Sequence, residues 1–267
     1  MLAPTLQIRV IDLHCHMLIG VDDGPGSPEA AVDLAQAQIA AGITKVAATP
    51  HVGFSWPLTA AELPAALAEL RTLLAEREIG LEVVAGAEIE ALYASQLGDD
   101  ELRGLALGGG QWLLIEPPSS AAGGAFERIV SDLQSRGHKV LLAHVERSAD
   151  IQRDPQILRR LVDSGALGQV TACALTGAYG RRTERFAREL VGSGMVQNVC
   201  SDAHDYKHRP PGIDQAIAGA GLRFYSDWWC REIPNAILCG GVIPEPPEPW
   251  PPALGQHGTL ARLFRGK

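Results

Sequence analysis

The stretch Ile-Asp-Leu-His-Cys-His at residues 11–16 places two histidines directly after a short apolar segment. Residues 8–13 are mostly aliphatic and β-branched, a composition that predicts a buried strand. Because side chains alternate between the two faces of a strand, His14 and His16 share one face and Cys15 points to the other. The stretch therefore predicts two imidazoles at the carboxyl end of a first strand.

The same pattern, a short apolar segment followed by a segment of helical periodicity, recurs along the chain to about residue 200. The predicted strands are residues 8–13, 43–48, 81–85, 112–115, 140–143, 168–171 and 196–200. The predicted helices are residues 28–41, 60–78, 125–136, 155–164, 183–193 and 213–220. Alternation of this kind is typical of βα repeats around a parallel sheet.

Residue types that bind metal ions follow six of the seven predicted strands. In a parallel sheet all carboxyl ends point the same way, and only closure into a barrel brings six of them around one opening. An open, doubly wound sheet would leave the outer ones far apart. We therefore predict an α/β fold with a (β/α) barrel of about seven strands. Its opening is surrounded by His14, His16, Asp23, His51, Glu88, Glu116, His144, Asp202 and His204.

This donor set of five histidines and four carboxylates is too large for one tetrahedral zinc ion. It suits two or three divalent ions about 4 Å apart, and ligation without thiolate is compatible with manganese, iron or zinc. Glu88 and Glu116 follow apolar runs, where a carboxylate without a balancing cation is costly. Structural salt bridges to arginine are the alternative for these two residues. We consider metal the better explanation because five of the eight histidines share the same location after a strand.

Two arginines lie next to the candidate ligands and suggest a phosphate substrate. Arg147 follows His144 by three residues, and Arg209 follows His204 by five. A guanidinium offers a bidentate fork to phosphate oxygens, and a multi-metal site can bind the others. Either arginine could instead be a surface residue. The basic run at residues 181–185 has two interpretations of equal weight, attraction of an acidic substrate or a solvated helix face.

The composition argues against a membrane-spanning protein and against a nonspecific nucleic-acid-binding protein. The 267 residues are 46% hydrophobic, and no apolar run approaches the roughly 20 residues of a membrane-spanning helix. A net charge of -8 argues against nonspecific attraction to nucleic acid or anionic lipid. The five cysteines include no C-x-x-C pair and fit free thiols. The first residues lack the pattern of a secretory signal, so we expect a cytoplasmic protein that does not insert into membranes.

The end of the chain differs from the rest in composition. Residues 243–267 begin with a dense run of prolines, which prevents a helix or a central strand. We therefore expect a catalytic domain at residues 1–242 and a proline-rich tail at residues 243–267.

Eight motifs occur in order along about residues 10–240. They are D-x-H-x-H at 12–16, DG at 23–24, TPH at 49–51, GAE at 86–88, LIE at 114–116, AHVER at 143–147, LTG at 175–177, and SDAH with RPP within 201–211. Together they resemble the PHP (polymerase and histidinol phosphatase) superfamily. More narrowly, they resemble its bacterial metal-dependent protein tyrosine phosphatases of the CpsB/YwqE type, which act in capsule and exopolysaccharide production.

This resemblance implies a distorted (β/α)7 TIM-like barrel, the PHP fold, with a centre of two or three divalent metal ions, most often Mn2+. It implies hydrolysis of phosphotyrosine in proteins without a cysteine nucleophile, usually on a bacterial tyrosine autokinase that controls polysaccharide chain length. Arg147 and Arg209 are then the catalytic arginines that stabilise charge on the phosphoryl group. By motif, one ion takes His14, His16, Glu88 and Asp202, a second takes Glu88, Glu116 and His144, and a third takes Asp23, His51 and His204.

Three alternatives stay open at this point. A PHP phosphatase for a small molecule such as histidinol phosphate, or a nucleotide phosphodiesterase, would keep the same metal centre. An amidohydrolase would share the barrel but would usually have a lysine after the fourth strand, where this chain has Glu116. A catalytically silent metal-binding or scaffolding partner of a polysaccharide-export complex has no reason to keep a complete donor set. The sequence also leaves oligomerisation open.

Overall fold

The computed structural model describes residues 10–118, 120, 122 and 124–250. Within these residues the strands are β1 (Val10–Cys15), β2 (Ile43–Ala48), β3 (His51–Val52), β4 (Glu82–Ala85), β5 (Glu88–Glu90), β6 (Trp112–Glu116), β7 (Lys139–Leu142), β8 (Leu167–Thr171) and β9 (Asn198–Cys200). The α-helices in the same range are α1 (Pro28–Ala40), α2 (Leu63–Glu76), α3 (Ala91–Ala94), α4 (Asp99–Gly104), α5 (Ala125–Ser135), α6 (Ala149–Arg153), α7 (Gln156–Asp163), α8 (Arg181–Gly192), α9 (Ile213–Gly219) and α10 (Ile233–Cys239).

The strands form a parallel barrel with seven positions around its circumference, counted over the described residues. β3 follows β2 after two residues and β5 follows β4 after two residues, so each pair occupies one position. Parallel pairing then runs from β1 through these two positions to β6, β7, β8 and β9. The His16 N–H donates to Ala203 O at 2.9 Å and the Asp202 N–H donates to His14 O at 3.0 Å, which closes the ring. The predicted seven-stranded (β/α) barrel is confirmed.

The predicted elements agree with the structure to within three residues at each end, except that residues 8 and 9 lie outside the described part. Two short strands, β3 and β5, were not predicted as separate elements. At the break between β4 and β5, a Cβ on Gly86 would lie 2.8 Å from Leu107 Cδ2 and 3.0 Å from Thr49 Cγ2. A side chain there would collide with its neighbours, so glycine permits the close approach.

A buried carboxylate anchors the first strand to the last one. Asp12 is fully buried and accepts hydrogen bonds from the Ser201 hydroxyl, from the Ser201 N–H at 3.1 Å and from the His14 N–H at 3.2 Å. Burial raises the pKa of Asp12, whereas these hydrogen bonds favour its ionised form. The network fixes the carboxyl end of β1 against the loop after β9, where His14 and Asp202 must meet.

The described part of the proline-rich segment packs against the amino-terminal end of the barrel. Residues 243–250 form neither helix nor strand, as their proline content predicts. The Trp250 indole N–H donates to Val191 O at 2.9 Å, and the Tyr225 hydroxyl donates to Pro249 O at 2.6 Å. The ring of Trp250 lies 5.4–6.1 Å from the rings of Tyr225, Trp228 and Trp229. Residues 251–267 lie outside the described residues, and a domain boundary at residue 242 stays a prediction.

Replacing Trp250 by alanine is expected to lower the free energy of unfolding by about 2 kcal/mol. The variant loses aromatic packing and one indole hydrogen bond. Urea denaturation measures the change. Val242→Ala is the control, because its side chain is 92% exposed and its loss should change stability by less than about 0.5 kcal/mol. An unchanged midpoint for Trp250→Ala would mean that this segment contributes nothing to barrel stability.

In the part of the chain that the structure describes, no helix combines the length and the apolar character needed to cross a membrane.

Candidate metal centre

All nine predicted ligands and both arginines lie at the carboxyl-terminal ends of the barrel strands, and the structure brings their side chains together. Two of the nine have backbone conformations that non-glycine residues rarely adopt, with φ of 28° at His144 and 52° at Asp202. Such a conformation costs on the order of 1–3 kcal/mol and is typical of functional sites. His144 and Asp202 each lie two residues after the end of a strand, where this backbone conformation turns the chain.

Glu88, at the start of β5, lies at the centre of the cluster and is fully buried. Its Oε2 is 3.1 Å from His14 Nε2 and 3.2 Å from both His16 Nε2 and His51 Nδ1. Its Oε1 is 2.6 Å from His144 Nε2. Imidazoles from the ends of three strand positions therefore surround one carboxylate.

A second group of donors lies beside the first, towards the solvent. Asp23 Oδ1 is 3.2 Å from His204 Nε2 and 3.5 Å from His51 Nε2. The His16 ring stacks on the His204 ring with centroids 3.8 Å apart. The donor atoms of His16, Asp23, His51 and His204 lie within 4.8 Å of one another, as do those of His14, His16 and Glu88 and those of His51, Glu88 and Glu116.

Glu116 lies at the end of β6 and borders the cluster of ligating side chains on a third side. Its oxygens lie 3.9 Å from His144 Nε2 and 4.0 Å from His51 Nδ1. Burial together with the neighbouring Glu88 charge raises the pKa of Glu116 to about 7. A cation placed between Glu88 and Glu116 would relieve this repulsion.

Asp202 lies between the imidazoles and the two arginines. Its Oδ1 is 3.5 Å from the Nε2 atoms of His14 and His16. Its Oδ2 accepts hydrogen bonds from Arg147 Nη1 at 2.8 Å and from Arg209 Nη2 at 2.7 Å. One carboxylate thus borders the donor cluster on one side and holds both guanidinium groups on the other.

Sequence reasoning missed two residues that orient the histidines. Asp22 Oδ2 lies 2.7 Å from His16 Nδ1 and also accepts the His51 N–H at 3.0 Å. Gln169 Oε1 lies 2.9 Å from His14 Nδ1. Partners of this kind fix the ring of a ligating histidine so that its other nitrogen faces the metal. The signal was a carboxylate adjacent to Asp23 and a polar side chain within a buried strand.

Two carboxylates of the cluster, Glu88 and Asp202, favour the ionised form although they are buried. Burial alone would raise the pKa of Glu88 and of Asp202, but the imidazoles beside them hold both values well below the usual range. Burial would lower the pKa of His14 and His16, and the same carboxylates outweigh it and raise both. The site therefore concentrates buried negative charge that positive groups must balance.

Two buried atoms that could ligate a metal ion make no hydrogen bond, although other polar atoms lie close to them. Glu88 Oε2 makes none, although three ring nitrogens lie within 3.2 Å. His204 Nε2 also makes none, and burial with the nearby His16 lowers the pKa of this histidine to about 3. A neutral imidazole nitrogen and a carboxylate oxygen that lack protons are the forms that bind metal ions. The residues present therefore fit a centre of divalent metal ions.

Comparison with known proteins identifies the family of this chain. Residues 10–229 match the family described as "Capsular polysaccharide synthesis, CpsB/CapC". The chain is 30% identical over 244 residues to the tyrosine-protein phosphatase YwqE of Bacillus subtilis, covering 90% of this chain and 96% of that protein. It is 25% identical over 213 residues to the tyrosine-protein phosphatase CpsB of Streptococcus pneumoniae, covering 78% and 88%.

A solved structure has the same fold. It belongs to the crystal structures of YwqE from Bacillus subtilis and CpsB from Streptococcus pneumoniae, described as unique metal-dependent tyrosine phosphatases. The TM-score is 0.77 at 29% sequence identity, and the match covers 89% of this chain and 99% of that one. The family resemblance drawn from the sequence motifs is confirmed. The chain belongs to the CpsB/CapC family of capsular polysaccharide synthesis proteins.

Proposed function

We propose that this protein is a metal-dependent phosphatase that hydrolyses phosphotyrosine in proteins. The observation that carries the proposal is the convergence of nine imidazole and carboxylate donors next to two arginines that share Asp202. Phosphate ester hydrolysis needs cations around the phosphoryl oxygens and an activated water, and this constellation suits both requirements. The phosphotyrosine assignment is supported by relatives named tyrosine-protein phosphatases.

The donors are proposed to hold two or three ions. Bound divalent ions would polarise the phosphoryl oxygens and supply an activated water as nucleophile near neutral pH. We propose Mn2+, with iron and zinc as the alternatives, because the donors are imidazoles and carboxylates without a thiolate. The proposed ligand sets are His14, His16, Glu88 and Asp202 for one ion, Glu88, Glu116 and His144 for a second, and Asp23, His51 and His204 for a third.

Arg147 and Arg209 are proposed to bind the phosphoryl group. Both guanidinium groups are partly exposed, and both point their N–H groups at Asp202 Oδ2. They keep further donors for a phosphate that enters the opening, because a guanidinium carries five N–H groups. Positive charge at this place stabilises the charge that develops on the phosphoryl oxygens.

A cysteine nucleophile does not fit the geometry. Cys15 is fully buried, its thiol donates to Ala203 O, and burial raises its pKa well above the ordinary value. Cys173 lines the same pocket as Arg209, and burial raises its pKa as well. Neither thiol is poised as a thiolate, which is the nucleophilic form.

The substrate is proposed to be a bacterial tyrosine autokinase that controls capsule or exopolysaccharide synthesis, with both proteins acting in the cytoplasm. Support comes from membership of a capsular polysaccharide synthesis family. A small-molecule phosphate such as histidinol phosphate is the alternative substrate, because the same donors would serve it.

The test compares three substrates with manganese-reconstituted protein: a phosphotyrosyl peptide, histidinol phosphate and a nucleotide diester. We expect kcat/KM to be highest for the peptide and turnover to be lost in the His14→Ala variant. A higher kcat/KM for histidinol phosphate would indicate that the substrate is a small-molecule phosphate rather than a phosphoprotein. Wild-type rates in His14→Ala would contradict the proposed metal centre.

A further inference from the structure

A pocket lies directly beside the metal centre, on the side of the arginines. Its volume is about 410 Å³, and its lining combines residues 172–179, which follow β8, with residues 208–216, which follow β9. We refer to it as the Tyr179 pocket. This volume falls within the range of pockets that bind small organic groups.

The lining of the Tyr179 pocket suits an aromatic ring. Small apolar residues, among them Ala172, Ala178 and Ala216, leave the space open, and the Tyr179 ring forms one side. The polar lining residues are Thr176, Ser201, Asp202, His208, Arg209 and Gln215, and two of them, Asp202 and Arg209, belong to the adjoining donor and arginine cluster. A flat apolar group next to an aromatic side chain gains both burial and ring–ring contact.

The pocket is continuous with the proposed phosphate site. Asp202 and Arg209 line the pocket and also belong to the donor and arginine cluster. The guanidinium of Arg147 lies 5.4 Å from the centroid of the Tyr179 ring. A phosphate ester bound at the two arginines therefore has its organic group within reach of Tyr179.

We propose that the Tyr179 pocket binds the phenyl ring of the substrate phosphotyrosine and that Tyr179 determines the preference for aryl phosphates. This inference rests on the proposed phosphatase function and adds the location of the ring. A phosphoserine side chain is too short to fill the pocket while its phosphate stays at the metal centre.

Phe54 and Tyr93 form an aromatic pair on the side of the barrel opening opposite to Tyr179. Phe54 follows β3 and is 57% exposed, and its ring contacts Tyr93 with centroids 5.2 Å apart. Within the described residues, no hydrogen bond, ion pair or cation–π contact joins Arg147 or Arg209 to Phe54 or Tyr93. Phe54 therefore provides a matched aromatic control at the same opening.

The test measures KM for phenyl phosphate and Ki for inorganic phosphate in four variants. Tyr179→Ala is expected to raise KM about tenfold and leave Ki within twofold, because only the ring site is lost. Tyr179→Phe keeps the ring and should stay within twofold of wild type in both constants. Ala178→Trp fills the pocket and should raise KM as Tyr179→Ala does. Phe54→Ala should change neither constant by more than twofold.

Other results would overturn the inference. A parallel rise of Ki and KM in Tyr179→Ala would show that Tyr179 acts by positioning Arg147. A rise of KM in Phe54→Ala with none in Tyr179→Ala would place the ring on the opposite side. Wild-type protein that hydrolyses no aryl phosphate overturns the proposed function and this inference together. Wild-type turnover with unchanged constants in Tyr179→Ala and Ala178→Trp overturns the inference alone.

Discussion

Replacing Glu88 by glutamine is expected to lower kcat for a phosphotyrosyl peptide by at least about 10³ and to reduce the bound metal per chain. Glu88 is the carboxylate around which four imidazoles converge, at 2.6–3.2 Å from their nitrogens. Glutamine has the same shape but lacks the charge that pairs with a divalent cation. A loss of 10³ corresponds to about 4 kcal/mol, the order expected for removal of Lewis-acid stabilisation.

Metal analysis and turnover on the same preparation test this expectation. Glu189→Gln is the matched control, since Glu189 is a largely buried carboxylate on α8 that pairs with Arg185 of the same helix and is not one of the nine donors. It should keep the wild-type metal content and a rate within twofold. If Glu88→Gln bound metal normally and kept its rate, the proposed role of Glu88 as the central metal ligand would be wrong.

The barrel could be predicted because each of its seven strand positions contains at least one strand that is recognisable from its own composition. The runs that became β6 and β8 are largely apolar and buried on both faces, and the run that became β2 is buried over its second half. Local composition was therefore sufficient to predict these strands. β3 and β5 could not be predicted, because elements of two and three residues have no measurable periodicity. Their pairing, His51 with Glu88, is set by the neighbouring strands rather than by their own sequence.

The donor set could be predicted for a related reason. Donors that directly follow predicted strands must meet at one end of a closed parallel barrel, so chain order alone assembled His14, Glu88 and Asp202. The function of Asp22 could not be separated from that of Asp23, since adjacent carboxylates look alike in a sequence. Only the structure shows that Asp22 contacts His16 whereas Asp23 faces His204.

The Tyr179 pocket marks the limit of sequence reasoning. Its two walls come from the segments 172–179 and 208–216, which lie about 30 positions apart in the chain. Cavity shape depends on how the loops after β8 and β9 pack, and local propensity does not specify it. Substrate preference is therefore harder to predict than metal ligation, which depends on residue type and strand ends.

Replacing Arg147 or Arg209 by alanine is expected to lower kcat about 10²-fold while the metal content stays near that of the wild type. Removing one preorganised donor from a developing anion typically costs that much. Because both guanidinium groups contact the same Asp202 oxygen, each can partly cover the loss of the other. The double variant should therefore lose more than either single variant, and Ki for inorganic phosphate should rise in all three.

The metal content of the arginine variants decides between two explanations of their lower kcat. If the arginines bind phosphate, the rate and the phosphate affinity fall while metal binding persists. If they instead only hold Asp202 in place, metal content must fall in parallel with the rate, because Asp202 Oδ1 faces His14 and His16. Arg77→Ala, a change at the exposed carboxyl end of α2, controls for the loss of a positive charge elsewhere and should leave rate and metal unchanged. Retained metal with a slowed reaction would assign Arg147 and Arg209 to the transferring phosphoryl group.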